Sequence, residues 1–208
     1  MDRLIILGAG GHGSVVADVA TVAVPDIEIL FLDDRYPQSR KSWHWPIVGA
    51  LVDFKQFIDS STHFLVAIGA NSLRHQWQTR IREESGHMAT LIHPSAVVSR
   101  YSTIGPGTVV FPAAVINIGA VLGEGCIINT GAIVEHDCRL GAAVHICPNV
   151  GVAGSVTIGD RATIGVGSAV RPGVHIGSDV IIGAGASVVH DIPSGITAFG
   201  VPAKNQSE

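Results

Sequence analysis

Residues 146–188 read ICPNVGVAGSVTIGDRATIGVGSAVRPGVHIGSDVIIGAGASV, and an Ile or Val recurs at every sixth position: Ile146, Val152, Ile158, Ile164, Val170, Ile176, Ile182 and Val188. Carried backwards, the same step meets Leu140, Val134, Ile128, Leu122, Ile116, Val110, Ile104, Val98 and Ile92, so seventeen positions in a row hold only Ile, Leu or Val. Four residues after many of them comes a small side chain, as at Ala96, Ser102, Thr108, Ala114, Ala120, Cys126, Ala132 and Cys138. A fixed period of six marks a parallel β-helix. Each hexapeptide is one short strand and a turn; the aliphatic residue points to the axis, and the small residue lets neighbouring walls close. An α-helix would need an apolar period near 3.6, and one long alternating strand would have to run unbroken through the glycines. The seventeen aliphatic residues are therefore expected to form an internal column. The period itself says nothing of the helix's hand.

The residues before the repeat follow a different rule. Leu4–Leu7 reads as a buried strand, Gly8-Ala9-Gly10-Gly11-His12-Gly13 as a tight loop, and Ser14–Ala20 as a short helix. A second strand, Ile27–Leu32, ends at Asp33-Asp34. A loop with Pro37 and Pro46 follows, then a helical stripe of Leu51, Phe54, Phe57 and Ile58, a third strand Phe64–Ile68, and a helix carrying Leu73, Trp77 and Ile81. Alternating strands and helices predict a small parallel α/β sheet, with the domain boundary at Gly86: an α/β Rossmann-like half over 1–86 and a β-helix over 87–208.

The loop fits GxGxxG, with Asp33 about twenty residues on, which raises a nicotinamide site. Three strands supply only one half of the doubly wound sheet a dinucleotide needs. A mononucleotide or another phosphate-bearing ligand fits better, because glycine-loop N–H groups and a helix N-terminus attract anions. Asp33 or Asp34 could then accept hydrogen bonds from a base or ribose.

Composition narrows the partners. The 208 residues carry a net charge of −4 with no Lys/Arg cluster, which argues against nucleic acid and against an anionic membrane surface. The start leads into only four apolar residues, Leu4–Leu7, too few for a signal-peptide core, and no run approaches the roughly 18 apolar residues of a spanning helix; the expected place is the cytoplasm. Cys126, Cys138 and Cys147 are odd in number and lack CxxC spacing, which speaks against both a disulfide framework and a cysteine-built zinc site.

Among ten histidines, His44, His63, His75 and His87 lie in ordinary α/β context and are expected at the surface. His136 differs: it falls inside the repeat at a position off the aliphatic column, flanked by Glu135 and Asp137. A carboxylate beside an imidazole fixes its tautomer and stabilises its protonated form, as a general base requires. Neighbours on a strand point to opposite faces, however, so adjacency alone does not pair His136 with Asp137. Cys138, a rival nucleophile, falls on a small, core-facing position.

The GAGGHG loop, the strand ending in Asp-Asp, the repeat containing Asn129-Thr130-Gly131-Ala132-Ile133-Val134-Glu135-His136-Asp137, and the end Gly200-Val201-Pro202-Ala203-Lys204 together resemble the sialic-acid O-acetyltransferase-like family of hexapeptide-repeat sugar acetyltransferases. Within it, the chain is most similar to the N-acetyltransferases of 4-amino-4,6-dideoxy sugars carried on UDP or GDP. The resemblance implies a left-handed β-helix, a homotrimer, acetyl-CoA as co-substrate lying between adjacent helices with no metal, and a nucleotide-linked amino sugar held by the N-terminal domain. It implies direct attack of the sugar amine with His136 as general base and Asp137 as its acidic partner. His145 matches the histidine near the thioester, and Gly154 the backbone N–H that meets the thioester carbonyl. On the sugar side it implies the loop Gly10, Gly11, His12 and Gly13, with His12 toward the sugar and Asp33 and Asp34 toward the base. Relatives often carry Lys where Ser14 stands, which puts a phosphate contact there in doubt.

Other functions stay open at this point. The acceptor could be a hydroxyl, as in O-acetylation of sialic acid or a related sugar. A zinc hydratase on the same helix would draw His136, His145 and His175 together across subunits, since catalytic zinc takes three protein ligands and one open position. A non-catalytic trimer would bind the nucleotide sugar without turnover.

Overall fold

In the computed structural model, which describes residues 1–205, the chain divides into two compact units, Met1–Ile92 and His93–Glu208. The first is an α/β unit. Strand β1 (Arg3–Leu7) leads into helix α1 (Gly11–Ala23), then β2 (Glu28–Leu32), the short β3 (Lys41–Ser42), β4 (Trp45–Gly49), a 3-10 helix (Leu51–Phe57), β5 (Thr62–Val66), α2 (Asn71–Glu83) and β6 (His87–Met88). The sheet order is β3-β4-β2-β1-β5-β6, parallel except for β3 against β4.

This sheet has six strands where the sequence suggests three. The stretch read as a loop around Pro46 is the hairpin β3–β4, and the helical stripe after it is a 3-10 turn. Pro46 hides the strand from a propensity reading, since proline cannot donate to a ladder. Here it sits at the start of β4, opposite Lys41, while Ile47 and Gly49 make the pairing to β2. The register sets Leu7 beside both Leu32 and Val66, so the segments that follow β1, β2 and β5 meet along one edge of the sheet. Ligands of open parallel sheets gather at that carboxyl edge. Ile5, Leu7, Leu32, Phe54, Phe64, Val66 and Ile81 form the core beneath it. His44 and His87 are exposed as expected, whereas His63 and His75 are half-buried.

The second unit is a left-handed β-helix of two-residue strands. Partners lie eighteen residues apart: Val110 pairs with Ile128, which pairs with Ile146, then Ile164 and Ile182. Three hexapeptides thus make one coil, and the coil has three flat sides. Fourteen of the seventeen aliphatic residues, Val110 to Val188, are buried in one continuous column; Val98 and Ile104 are partly buried against it. Ile92 is the departure: it is 38% exposed, at the edge of the repeat.

The corners obey the same period. From Gly107 to Gly185 every sixth residue has a positive φ, and half of these positions are not glycine, Asp137 (φ 60) and Ser155 (φ 59) among them. The small column residues close the wall and also bond it. Cys138 Sγ lies 3.1 Å from the carbonyl oxygen of Ala153, and Ser168 Oγ donates to Gly183 O at 2.9 Å. The period ends with a shortened coil, in which Ile176 pairs with Ile192 and Ile182 with Ala198, and an antiparallel turn-back of Phe199 onto Lys204 closes the last strand. No described helix is long and apolar enough to cross a membrane.

Candidate active site

His136 and Asp137 stand at a corner of the β-helix, not within a strand. The left-handed backbone at Asp137 removes the alternation that would have sent the two side chains to opposite faces. His136 Nδ1 lies 2.9 Å from Asp137 Oδ2, and both side chains remain more than half exposed. With the Nδ1 proton given to Asp137, Nε2 is left as the nitrogen able to take a proton. Glu135 does not compete for the ring. Its Oε2 accepts Asn117 Nδ2–H at 2.8 Å and the His136 backbone N–H at 3.4 Å, which holds the corner itself in place.

One coil above the corner sits Gly154. Val134 pairs with Val152, and Ser155 N–H donates to His136 O at 2.9 Å, so the two corners are stacked. A Cβ on Gly154 would fall 2.5 Å from both Cε1 and Nε2 of His136. The imidazole therefore occupies space that only a glycine leaves. The Gly154 N–H makes no hydrogen bond among the described residues, which leaves a backbone donor beside the basic nitrogen. A base and an N–H donor set side by side suit acyl transfer, where a proton leaves the nucleophile as negative charge gathers on the carbonyl oxygen.

His145 belongs to a different side of the same helix. It lies on the strand His145–Ile146, paired with Ile127 below and Thr163 above, and its Nε2 is 3.1 Å from Asn129 Nδ2. His136 stands at the corner between the other two sides, and His175 lies on one of those. A single chain therefore does not gather the three histidines, and no group of three or more potential metal-ligating side chains occurs among the described residues. Cys138 is buried within the wall, and its burial pushes the thiol above the usual range, against a nucleophilic role.

In the first unit, Gly8 (φ 101) makes the turn out of β1, and α1 starts at Gly11, within what the sequence reading took as loop. Gly13 is set by packing, because a Cβ there would fall 2.0 Å from Gly8 O. At Gly10 and Gly11 an added Cβ would meet nothing within 4 Å, and Gly10 provides no side-chain cap. Open space thus adjoins the start of α1, a helix end that favours an anion. His12 is held neutral: burial, and then the nearby charge of Arg74, lower its pKa to about 4. Ser14 Oγ is engaged inside the unit, 3.1 Å from Ser42 Oγ and 3.3 Å from Gly10 O.

The two aspartates at the end of β2 already have partners. Asp33 Oδ2 accepts Ala9 N–H at 2.7 Å and Arg35 Nη2–H at 3.1 Å, while Oδ1 accepts Arg35 Nε–H at 2.7 Å and its backbone N–H at 3.0 Å. The Arg35 side chain, first among these, holds the Asp33 carboxyl down at about 2. Asp34 Oδ1 accepts the Leu51 N–H at 3.0 Å and so secures the entry to the 3-10 helix. Arg35, absent from the sequence reading, completes the lacing through Nη2–H to Ala9 O at 2.9 Å. Arg74, only 1% exposed, was missed too; it donates to Ile68 O, Gly69 O and Asn71 Oδ1 at the neighbouring loop. The cue in the sequence was an arginine on the first turn of a helix after a strand, which is weak by itself.

Comparison with known proteins adds the following. Residues 3–81 match the PglD N-terminal domain family, and residues 155–190 match the bacterial transferase hexapeptide (six repeats) family. The acetyltransferase domain of PglB from Neisseria gonorrhoeae FA1090, solved with acetyl coenzyme A, is 40% identical over 98% of each chain with a TM-score of 0.93. PerB from Caulobacter crescentus, solved with CoA and GDP-perosamine, is 39% identical over 98% of this chain and 97% of its own, with a TM-score of 0.92. A UDP-N-acetylbacillosamine N-acetyltransferase from Bacillus subtilis (strain 168) is 37% identical over 110 residues, a match that spans 52% of this chain and half the length of that relative.

Proposed function

Since the chain belongs to the family of hexapeptide-repeat nucleotide-sugar N-acetyltransferases, we propose that it transfers the acetyl group of acetyl-CoA to the 4-amino group of an amino-dideoxy sugar carried on a nucleoside diphosphate. The observation that carries the reading is the Nε2 edge of His136 seated on Gly154, with Asp137 at Nδ1. In this reading the sugar nitrogen attacks the thioester carbonyl while His136 Nε2 takes the proton it sheds. Gly154 N–H receives the developing oxyanion, and Asp137 stabilises the imidazolium. Collapse of the tetrahedral intermediate breaks the C–S bond, and the proton on His136 passes to the departing CoA thiolate. No covalent enzyme intermediate and no metal enters.

The two units divide the labour: 87–208 performs the transfer and 1–86 holds the sugar nucleotide. The first turn of α1, from Gly10 through Gly11, His12 and Gly13, faces the diphosphate and the sugar, His12 as a neutral hydrogen-bonding group. Asp33 keeps the loop in shape through Ala9, and Asp34 offers its remaining oxygen, Oδ2, to the ribose. His145, on the side opposite the His136 corner, joins the site from a neighbouring copy, so the working form is a homotrimer with acetyl-CoA between adjacent helices. The reaction belongs in the cytoplasm, where acetyl-CoA and nucleotide sugars are available together.

The test is to incubate the chain with acetyl-CoA and a panel of UDP- and GDP-linked 4-amino-4,6-dideoxy sugars and to follow free CoA and product mass. An acetylated product stable to hydroxylamine is the expected amide. A hydroxylamine-labile product would mean O-acetylation, and binding without acetyl transfer would mean a non-catalytic role.

A further inference from the structure

The hairpin β3–β4 turns through Trp43 and His44, and Trp43 has a left-handed backbone (φ 54). Two-residue hairpins favour glycine or asparagine in that conformation, which is unfavourable for a bulky side chain. The indole is not buried in the core in return: Trp43 is 82% exposed. Next to it lies a pocket of about 350 Å³, lined by Ser14, Val15 and Asp18 of α1 and by Trp43, His44 and Trp45. Its aromatic side is propped from within, since the Trp45 ring lies 4.1 Å from that of His44 and 6.3 Å from that of the fully buried Phe31. The rest of the lining is the outer face of α1. Asp18 is exposed there, and its carboxylate makes no ion pair or hydrogen bond with any described residue; only its backbone carbonyl is engaged, by Thr21 Oγ1–H at 2.6 Å.

We infer that this pocket receives an arginine side chain of a partner polypeptide, a binding function that goes beyond acetyl transfer and does not depend on it. An unpaired carboxylate calls for a cation, and the face of an exposed indole attracts one. A guanidinium answers both: it is flat enough to stack on Trp43, and its fork gives two N–H groups to the Asp18 carboxylate. An ammonium is a compact, strongly hydrated point charge and answers them less well. The surroundings suit a polypeptide better than a free small cation. Val15, Asp18 and Val22 lie at i, i+3 and i+7 on one face of α1, and both valines are about half exposed. This ridge carries the apolar surface beyond the pocket to Val22, and tryptophan and arginine are the anchors in which protein interfaces are enriched.

Titration of the intact chain with Nα-acetylarginine amide, followed through the Trp43 indole N–H resonance, tests this. Saturable binding with a Kd on the order of a millimolar is expected from one anchor group. The citrulline counterpart, which has the same shape without the charge, should bind at least about tenfold more weakly, and the lysine counterpart should also be weaker. Asp18→Asn and Trp43→Ala should each weaken the arginine amide at least about threefold, and Trp43→Phe should recover part of the loss. A short peptide with one arginine between leucines should bind more tightly than the amide, and Val22→Ser should weaken the peptide alone. Citrulline or lysine binding as tightly as arginine, or arginine binding untouched by both pocket variants in protein that melts normally, overturns the inference. A peptide no tighter than the amide, or indifferent to Val22→Ser, removes the polypeptide partner and overturns it too. A changed oligomeric state of Trp43→Ala in light scattering would assign this face to contacts between copies of the chain, against the inference. Binding is read without turnover, so each result stands whether or not the chain acetylates a sugar.

Discussion

The imidazole of His136 occupies the place where a side chain on Gly154 would begin, within 2.5 Å of the Cβ that any other residue would carry there. The same ring is held from its far nitrogen by Asp137 at 2.9 Å. His136 is thus fixed between a carboxylate and a bare stretch of backbone, one coil apart in the stack.

Gly154→Ala should therefore act on catalysis before it acts on stability. Gly154 has no left-handed φ, so alanine suits its backbone, but the methyl group must push the ring aside. Misplacement on the scale of an ångström can cost about a hundredfold in rate. The expected result is a kcat lowered by about that factor, an unchanged oligomeric state and a Tm within a few degrees of wild type. A Gly154→Ala enzyme with wild-type kcat would show that the close packing of His136 on Gly154 has no part in the reaction.

Ile158 is 1% exposed in the middle of the aliphatic column. Ile158→Asp sets an unpaired carboxylate there, a change worth several kcal/mol, comparable with the roughly 5–15 kcal/mol that holds a typical domain together. Insoluble protein, or a loss of the β-sheet signal in circular dichroism, is expected. A soluble variant with an unaltered melting curve would contradict the inward column.

Two groups give the first unit a defined response to acid. His12 has its pKa lowered to about 4 against an ordinary 6.5, so the unfolded chain takes up this proton first. Its neutral form costs nothing above pH 6.5, and stability falls progressively as the pH drops from there through about 4. Asp33 works in the same direction lower down: its contribution is complete above its ordinary value of 3.8 and is lost as the pH falls through about 2. Denaturant titrations from pH 7 to 4 should show His12→Asn losing less stability than wild type. Equal slopes for the two proteins would place His12 in solvent.

Much of this architecture is legible in the sequence because the β-helix writes each coil into the chain as a repeat. Val134, Val152 and Ile158 declare their burial through spacing alone, and Cys138 declares itself structural by falling on the small position. Ile92 obeys the spacing yet is exposed, since a period records a pattern and not where stacking begins. The His136–Asp137 pair was visible as two residues but not as a contact. Their pairing depends on a left-handed corner, and half of the corner positions in the coil lack the glycine that would have announced it. The strand Trp45–Gly49 was hidden by Pro46, and the lacing of Arg35 to Asp33 and Ala9 depends on contacts between segments about twenty-five residues apart or on a turn too local to leave a pattern. The roles proposed for His145 and Gly154 come from the resemblance, since no spacing expresses them.

The central claim is that His136 is the general base, and steady-state kinetics of His136→Ala test it most directly. General-base assistance typically contributes about 10²–10⁴-fold, so kcat should fall by at least about a hundredfold while the KM values for acetyl-CoA and sugar nucleotide change little. The fold should be retained, because the side chain lies off the aliphatic column and is more than half exposed. A His136→Ala enzyme that keeps near-full kcat in a well-folded state would contradict the account, whatever else the protein acetylates.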